Sequence, residues 1–312
     1  MRPIGGEIEV FFKDKIYYTD SGRSSLRIFC KFFKDKKILL PDFLCDVIVD
    51  TLKNENMKFD FYHIKEDLSI DWEKIAQDYD VLYIINYFGV LQKIPENIKK
   101  EKIIIEDNVF FYDFENRGFK KWFAFNSYRK ITNLSDGSLI KTNMNVKNNY
   151  KSSDNSFSKL KYKAKELKYK YIYNQEGREI DYLNLFSKAE NILGNSNSIS
   201  FITENSIYLL SVFNYERSQK IRKKRFKMLL SFFKDICINK NPTEYSFFVI
   251  KSEIRDEIRD KLFQKKIFLP VHWPKSKYTQ NSLYSKVLSI PLFENYTDEE
   301  FKYLLDSLKE IL

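Results

Sequence analysis

Two compact runs rich in β-branched residues, Val81 to Ile85 and Ile103 to Ile105, constrain the fold of this chain more than any other feature. They are too short for a helix and show no apolar/polar alternation. Both faces of each must therefore be covered, as in the central strands of a parallel sheet sandwiched between helices. Each run ends in polar residues. The first leads into Asn86, Tyr87, Phe88 and Gly89, the second into Glu106 and Asp107. These are the residues expected at the carboxyl edge, where open α/β sheets bind their ligands.

The flanking segments alternate between helix and strand. A helix is expected from Ser21, with Leu26, Phe29, Cys30 and Phe33 on one face, then a strand from Lys37 to Leu40 closed by Pro41. A second helix fits Phe43 to Leu52, a strand lies near Met57 to His63, and a third helix begins near Asp71 with Trp72, Ile75 and Tyr79 on one side. Lys141 to Ser158 turns polar and reads as a loop. Helical periodicity from about Ser206 to Phe233 predicts a long helix tying two lobes together. The domain boundary is placed there, giving a large domain of residues 1–215 and a small one of 216–312. The small domain should contain strands at Ser246 to Ile250, Ile267 to Val271 and Val287 to Pro291. A helix is expected from Glu253, and a final helix opened by a Thr297–Glu300 capping box.

Composition sets the class. With 312 residues, 43% of them hydrophobic and 17% aromatic, there is ample apolar surface for a sizeable core and no basis for wholesale disorder. The N-terminus has no apolar run resembling a signal core, and no stretch is long enough to cross a bilayer. Three widely spaced cysteines, Cys30, Cys45 and Cys237, offer no metal-binding spacing and suit a reducing, cytoplasmic setting. The net charge of +10 is spread over helical stretches where Lys alternates with Asp and Glu, and no nucleic-acid motif accompanies it. Neither a nucleic-acid nor a membrane partner is expected.

Three local features bear on chemistry. Ser21, Gly22, Arg23, Ser24 and Ser25 form a turn opening directly into a helix, where free amides and small hydroxyls could face one anion; plain helix capping explains the same residues. Asp107 follows a buried strand and could pair with a protonated pyridine nitrogen, or equally serve as a cap or ion pair. Ser127, Tyr128, Arg129 and Lys130 precede an Asp136–Gly137 turn and a strand, Ser138 to Thr142. Any one lysine in so lysine-rich a chain is most simply a surface residue. Their order along the chain is what makes them informative.

On these residues the chain resembles the DegT/DnrJ/EryC1/StrS family of sugar aminotransferases. The segments that carry the resemblance are Ile4 to Glu7, "SGRSSL", "LLPDFLCDVI", "IIIEDN", "NSYRKITNLSDGSLI", "VHWP" and "LSIPL". The resemblance implies an α/β fold of the type I pyridoxal-phosphate transferases: a mostly parallel sheet flanked by helices, with a small α+β C-terminal domain. It implies pyridoxal 5'-phosphate as cofactor, an amino-acid donor (glutamate), a keto carbon on a nucleotide-linked sugar as acceptor, and a homodimer working in surface-glycan or secondary-metabolite synthesis. Lys130 would hold the cofactor and shuttle protons, Asp107 would hold its ring nitrogen, and Arg23, Ser24 and Ser127 its phosphate. Cys45 and Asn86 fall at further cofactor-contacting positions, and His272 and Trp273 at the substrate mouth, where core packing is the alternative. The chain departs from the family pattern at Phe110, where a histidine is usual, at Asn86, which also replaces a histidine, and at Ser127, three rather than five residues before the lysine. Cys45 takes the place of a ring-stacking aromatic, leaving Phe43, Phe110 or Tyr87 to stack. Dehydratase chemistry, in which relatives replace the lysine by histidine, and a catalytically reduced binding role remain as alternatives.

Overall fold

The computed structural model describes residues 15–146 and 155–312. The family-like opening at Ile4 to Glu7 lies outside them. The first half of the chain runs β1 (Lys15–Thr19), α1 (Gly22–Phe32), β2 (Lys37–Pro41), α2 (Asp46–Asn54), β3 (Lys58–Tyr62), β4 (Val81–Ile85), α3 (Glu96–Glu101), β5 (Ile103–Asp107), β6 (Lys121–Phe125), α4 (Tyr128–Ile131) and β7 (Ser138–Thr142). It continues through α5 (Ser156–Tyr169), α6 (Glu179–Asn195), α7 (Glu204–Val212), α8 (Tyr215–Phe233), β8 (Phe247–Lys251), α9 (Arg255–Gln264), α10 (Leu283–Lys286), β9 (Val287–Pro291) and α11 (Asp298–Ile311).

Seven strands form one sheet in the order β1-β7-β6-β5-β4-β2-β3. The ladders β3-β2-β4-β5-β6 are parallel, whereas β7 runs antiparallel to both β6 and β1. Every residue of β4 and β5 is buried, which is why Val81–Ile85 and residues 103–105 read as unbroken apolar runs, while β5 ends in the buried acids Glu106 and Asp107. Helix α1 lies against β6 and β7, with Phe29 meeting Phe123 edge-on at 5.4 Å. A second hydrophobic cluster, including Phe226, Leu229, Phe248, Ile290 and Leu308, joins α8, the antiparallel β8–β9 pair and α11. The expected capping box is present, with Thr297 accepting from Glu300 N and Glu300 accepting from Thr297 N.

Three expected elements differ. The helix near Asp71 is only a single 3-10 turn, Trp72–Lys74. Tertiary bonds take up the following residues: Asp80 accepts from Lys37 N at 3.0 Å, and Lys102 donates to Tyr79 O at 2.6 Å. The long helix across 206–233 is two helices, because Asn214 turns its side chain back to accept from Arg217 N and caps α8, while Phe213 stacks on Tyr112. Ile267 to Val271 forms no strand, and Pro270 and Pro274 bracket the segment that leads to Trp273.

Gly89 shows how tightly the second unit is fitted to the first. Its φ is +84°, and a Cβ built there would lie 1.8 Å from the carbonyl oxygen of Glu244. Its own carbonyl accepts from Thr243 N at 2.8 Å. Gly89→Ala adds left-handed strain to a backbone collision and is expected to cost about 3 kcal/mol or more. Chemical denaturation would check this, and a loss below about 1 kcal/mol would show that the 242–244 segment can move aside.

Candidate active site

Strands β4, β5 and β6 end side by side, with Ile85 opposite Asp107 and Asp107 opposite Phe125. Over this edge lies a cavity of about 130 Å³. One wall is the start of α1, with Ser21, Gly22 and Arg23; another is the start of α2, with Cys45 and Val47. Asp107 and Val109 form the floor, Ser127, Arg129 and Lys130 a third wall, and Trp273 reaches in from the segment between α9 and α10. An adjoining cavity of about 290 Å³ shares Arg23, Cys45, Val47, Thr51 and Trp273 and adds Asp46, Asp50 and Lys275.

Asp107 is buried, and both its oxygens are engaged. Tyr83 donates its hydroxyl to Oδ2 at 2.8 Å and Val109 its backbone N–H to Oδ1 at 3.1 Å. Burial pushes this carboxyl up to about 6, although the Tyr83 hydroxyl, the Lys130 amine and the Val109 amide all favour its charged form. Tyr83 reaches it because residues two apart on a strand share a face and Ile85 pairs with Asp107.

The Lys130 amine stands 5.6 Å from the Phe110 ring centre and 6.0 Å from that of Trp273. Burial lowers its pKa; Arg129 lowers it further, while Cys45 and Asp107 oppose. An amine that sheds its proton readily can act as nucleophile and as base. The turn that carries it is fixed by Asn126, fully buried, which donates to Phe111 O at 3.0 Å and Tyr112 O at 2.9 Å and accepts from Leu139 N. The end of β6 is thereby tied to the loop after β5 and to β7, holding Lys130 in register with Asp107.

At the other end, Ser21 caps α1 by accepting from Ser24 N, and no acidic residue occupies the helix's first turn. A Cβ on Gly22 would press to 3.2 Å from the Phe125 ring, so a bare backbone is what fits here. Arg23 has a buried Nη1 with no hydrogen-bond partner among the described residues. An unpaired cationic donor beside free helix-start amides is chemistry suited to a phosphate. With an acid and an amine at the opposite end, the residues present fit pyridoxal phosphate.

The expected site residues therefore separate. Arg23, Cys45, Asp107, Ser127, Lys130 and Trp273 meet in the cavity. Ser24 does not line it: its hydroxyl donates to Asp20 Oδ1 at 2.6 Å, so that buried carboxylate, not a phosphate, takes the bond. Asn86 is also elsewhere, donating to Glu106 and Asn108 and accepting from Gln92 N, which makes it a brace behind the sheet edge. His272 packs among Phe88, Phe110 and Phe247 with Nδ1 3.0 Å from Ser289 Oγ, and burial, then Lys130, pushes its pKa down to about 3. The packing alternative describes it. Phe43, Phe110 and Tyr87 line no part of the cavity either: Phe43 packs on Trp273 and Tyr284, Phe110 stacks on Phe88 at 4.8 Å, and Tyr87 donates to Phe43 O. The rings that do line it are Tyr83, Phe125 and Trp273. Arg129, Tyr83 and Asn126 were not expected. A tyrosine inside an otherwise aliphatic strand was the available signal for Tyr83.

No protein-family model matches the sequence, and no curated protein sequence matches it significantly. Solved structures do. S. venezuelae DesV, in complex with a ketimine intermediate, aligns with a TM-score of 0.64 at 14% identity, covering 95% of this chain and 84% of that one. A Streptococcus pneumoniae protein described as a sugar aminotransferase, in its PMP form, aligns at 0.63 and 13% identity over 95% and 87%. A DegT DnrJ EryC1 StrS aminotransferase from Brucella abortus aligns at 0.59 and 13% identity over 95% and 85%. The seven-stranded mixed sheet, the helices around it and the small C-terminal unit give this chain the fold of the type I pyridoxal-phosphate transferases.

Proposed function

We propose that the protein is a pyridoxal-phosphate-dependent aminotransferase, moving an amino group from an amino acid, glutamate by the resemblance, to a keto carbon of a nucleotide-linked sugar. The observation that carries the reading is the joint placement of Asp107 and Lys130 in one cavity at the carboxyl edge of the sheet, lined also by the α1 start and by Arg23, whose buried Nη1 has no partner among the described residues. Sugar aminotransferases among the structural neighbours support it. Residues 1–215 would carry the cofactor and 216–312 would close the site through Trp273. Homodimer formation and a role in surface-glycan or secondary-metabolite synthesis follow from the resemblance alone, and a cytoplasmic location from the cysteine usage and N-terminal composition.

Bound pyridoxal phosphate supplies an electron sink for negative charge on the carbon beside the substrate nitrogen. The chain's own residues do the rest. Asp107 would hold the cofactor's ring nitrogen, since a carboxylate beside a cation stays charged despite its burial. Lys130 would hold the cofactor's aldehyde end and, with an amine that sheds its proton readily, could take up and return a proton at the bound substrate. Arg23 and the α1 amides would hold the phosphate, and Trp273, Val109 and Leu26, which line the same cavity, would help to exclude water. Retention of Lys130 disfavours the dehydratase reading.

The test is direct. Purified protein given pyridoxal phosphate should develop a visible yellow band, and added glutamate should bleach it while releasing 2-oxoglutarate. Uptake of colour without nitrogen exchange from any common amino acid would overturn the aminotransferase reading and leave a binding role.

A further inference from the structure

Arg129 immediately precedes Lys130 and lines the same cavity as Arg23, one guanidinium rising from the turn after β6 and the other from the start of α1. Like charges placed together in a partly buried site repel, and Arg23 is lowered in pKa first by burial and then by Arg129. One carboxylate serves the group. Glu190 on α6 accepts from Arg129 Nη1 at 2.8 Å and also from Lys161 on α5. Arg129 and Lys161 therefore share one carboxylate, while Arg23, which forms no ion pair among the described residues, adds positive charge that a phosphate would offset. Unused donors remain as well: Arg129 Nε and Arg23 Nη1 are both buried without a hydrogen-bond partner among the described residues. Buried charged donors left unpaired are costly unless a ligand completes them.

We propose that Arg129 is a second guanidinium arm for the cofactor's phosphate, completing with Arg23 an anion site that the α5–α6 hairpin anchors through Glu190. This rests on the cofactor reading above. Arg129 would then bind phosphate through its free edge while Glu190 holds the other. Because Lys130 is the next residue, the same short turn would set the distance between the two ends of the cofactor. The hairpin would thus be coupled to cofactor retention although neither of its helices touches the reacting atoms.

The experiment compares equilibrium uptake of pyridoxal phosphate and of pyridoxal, which lacks the phosphate, by the full chain, followed by visible absorbance. Wild type should prefer the phosphate form. Arg129→Gln should weaken pyridoxal phosphate by about tenfold or more and leave pyridoxal within about twofold. Arg129→Lys, which keeps the charge without the fork, should fall between. Glu190→Gln keeps an acceptor for Arg129 while removing a negative charge, so it should leave phosphate-form uptake unchanged or tighter. If Arg129 only pairs with Glu190, both glutamine variants would weaken both cofactor forms alike, and that result overturns the inference. So does an Arg129→Gln protein that retains the wild-type preference. Should wild type take up neither form, the cofactor reading itself fails; should it take up both equally, only the phosphate site does.

Discussion

Lys130→Ala is expected to abolish covalent capture of pyridoxal phosphate and to lower amino transfer about a thousandfold or more, since one residue is asked to be both nucleophile and proton carrier. A lowered amine pKa does not by itself single out this lysine. Lys165 is also pushed down, to about 7, by burial and by Lys161, Arg129 and Lys168. Its amine, however, donates to Asn133 O at 2.9 Å and Leu134 O at 2.6 Å and lines no part of the cavity over the sheet edge. Lys130 combines the lowered pKa with a cavity, a carboxylate floor and an indole wall. Borohydride reduction of the loaded protein followed by peptide mass spectrometry should place the pyridoxyl group on the Lys130 peptide. Alanine at 130 should erase the yellow band yet leave the fold intact, because removing a buried amine removes a desolvation cost. Small primary amines added to the variant should restore part of the proton transfer. A Lys130→Ala protein that remains yellow, with the label on Lys161 or Lys165, would move the reaction out of this cavity.

The two halves of that site were legible to different degrees. β4 and β5 announced themselves because strands covered on both faces have apolar cores, here Val81–Ile85 and residues 103–105, and the acid and lysine stood at fixed places relative to the strand ends. What position cannot give is the direction of a side chain. Ser24 occupies the expected place at the α1 start, but the nearer carboxylate of Asp20 claims its hydroxyl. Asn86 ends β4 as expected and is then spent on Glu106 and Asn108, which lie beside it on β5 and beyond. Cys45 does reach the cavity, while the aromatic residues around it in sequence do not. Phe43 turns into the core instead, where Trp273, Tyr87 and Tyr284 enclose it. Helices α5 and α6 left little pattern because they are thinly buried, through Phe157, Ser158 and Ala164 on one and Tyr182, Ala189 and Leu193 on the other. The contribution of Glu190 to the site is therefore a long-range fact, visible only once the hairpin is seen against the Lys130 turn.

Asp107→Asn should separate catalysis from stability, with opposite signs. In the cofactor-free protein the carboxyl is raised from its ordinary 3.8 to about 6, chiefly by burial, so between these values the folded state binds the proton more tightly than the unfolded one. Stability must then fall as pH rises through this window and stay lower above it, by about 3 kcal/mol if the full shift is realised. Asparagine carries no charge to desolvate. It can still accept one hydrogen bond, and the Tyr83 hydroxyl can rotate to accept from its amide. The variant without cofactor should therefore be more stable than wild type at pH 8 and indistinguishable from it near pH 3, where both side chains are neutral. With cofactor the advantage reverses: an amide cannot hold a charged ring nitrogen, and amino transfer should drop by about a hundredfold or more. Thermal melts at the two pH values, with and without pyridoxal phosphate, alongside a transamination assay, decide the matter. An asparagine variant that is less stable at pH 8 without cofactor, or as active as wild type with it, would mean that Asp107 serves the sheet edge as a structural acid and that the ring nitrogen faces something else.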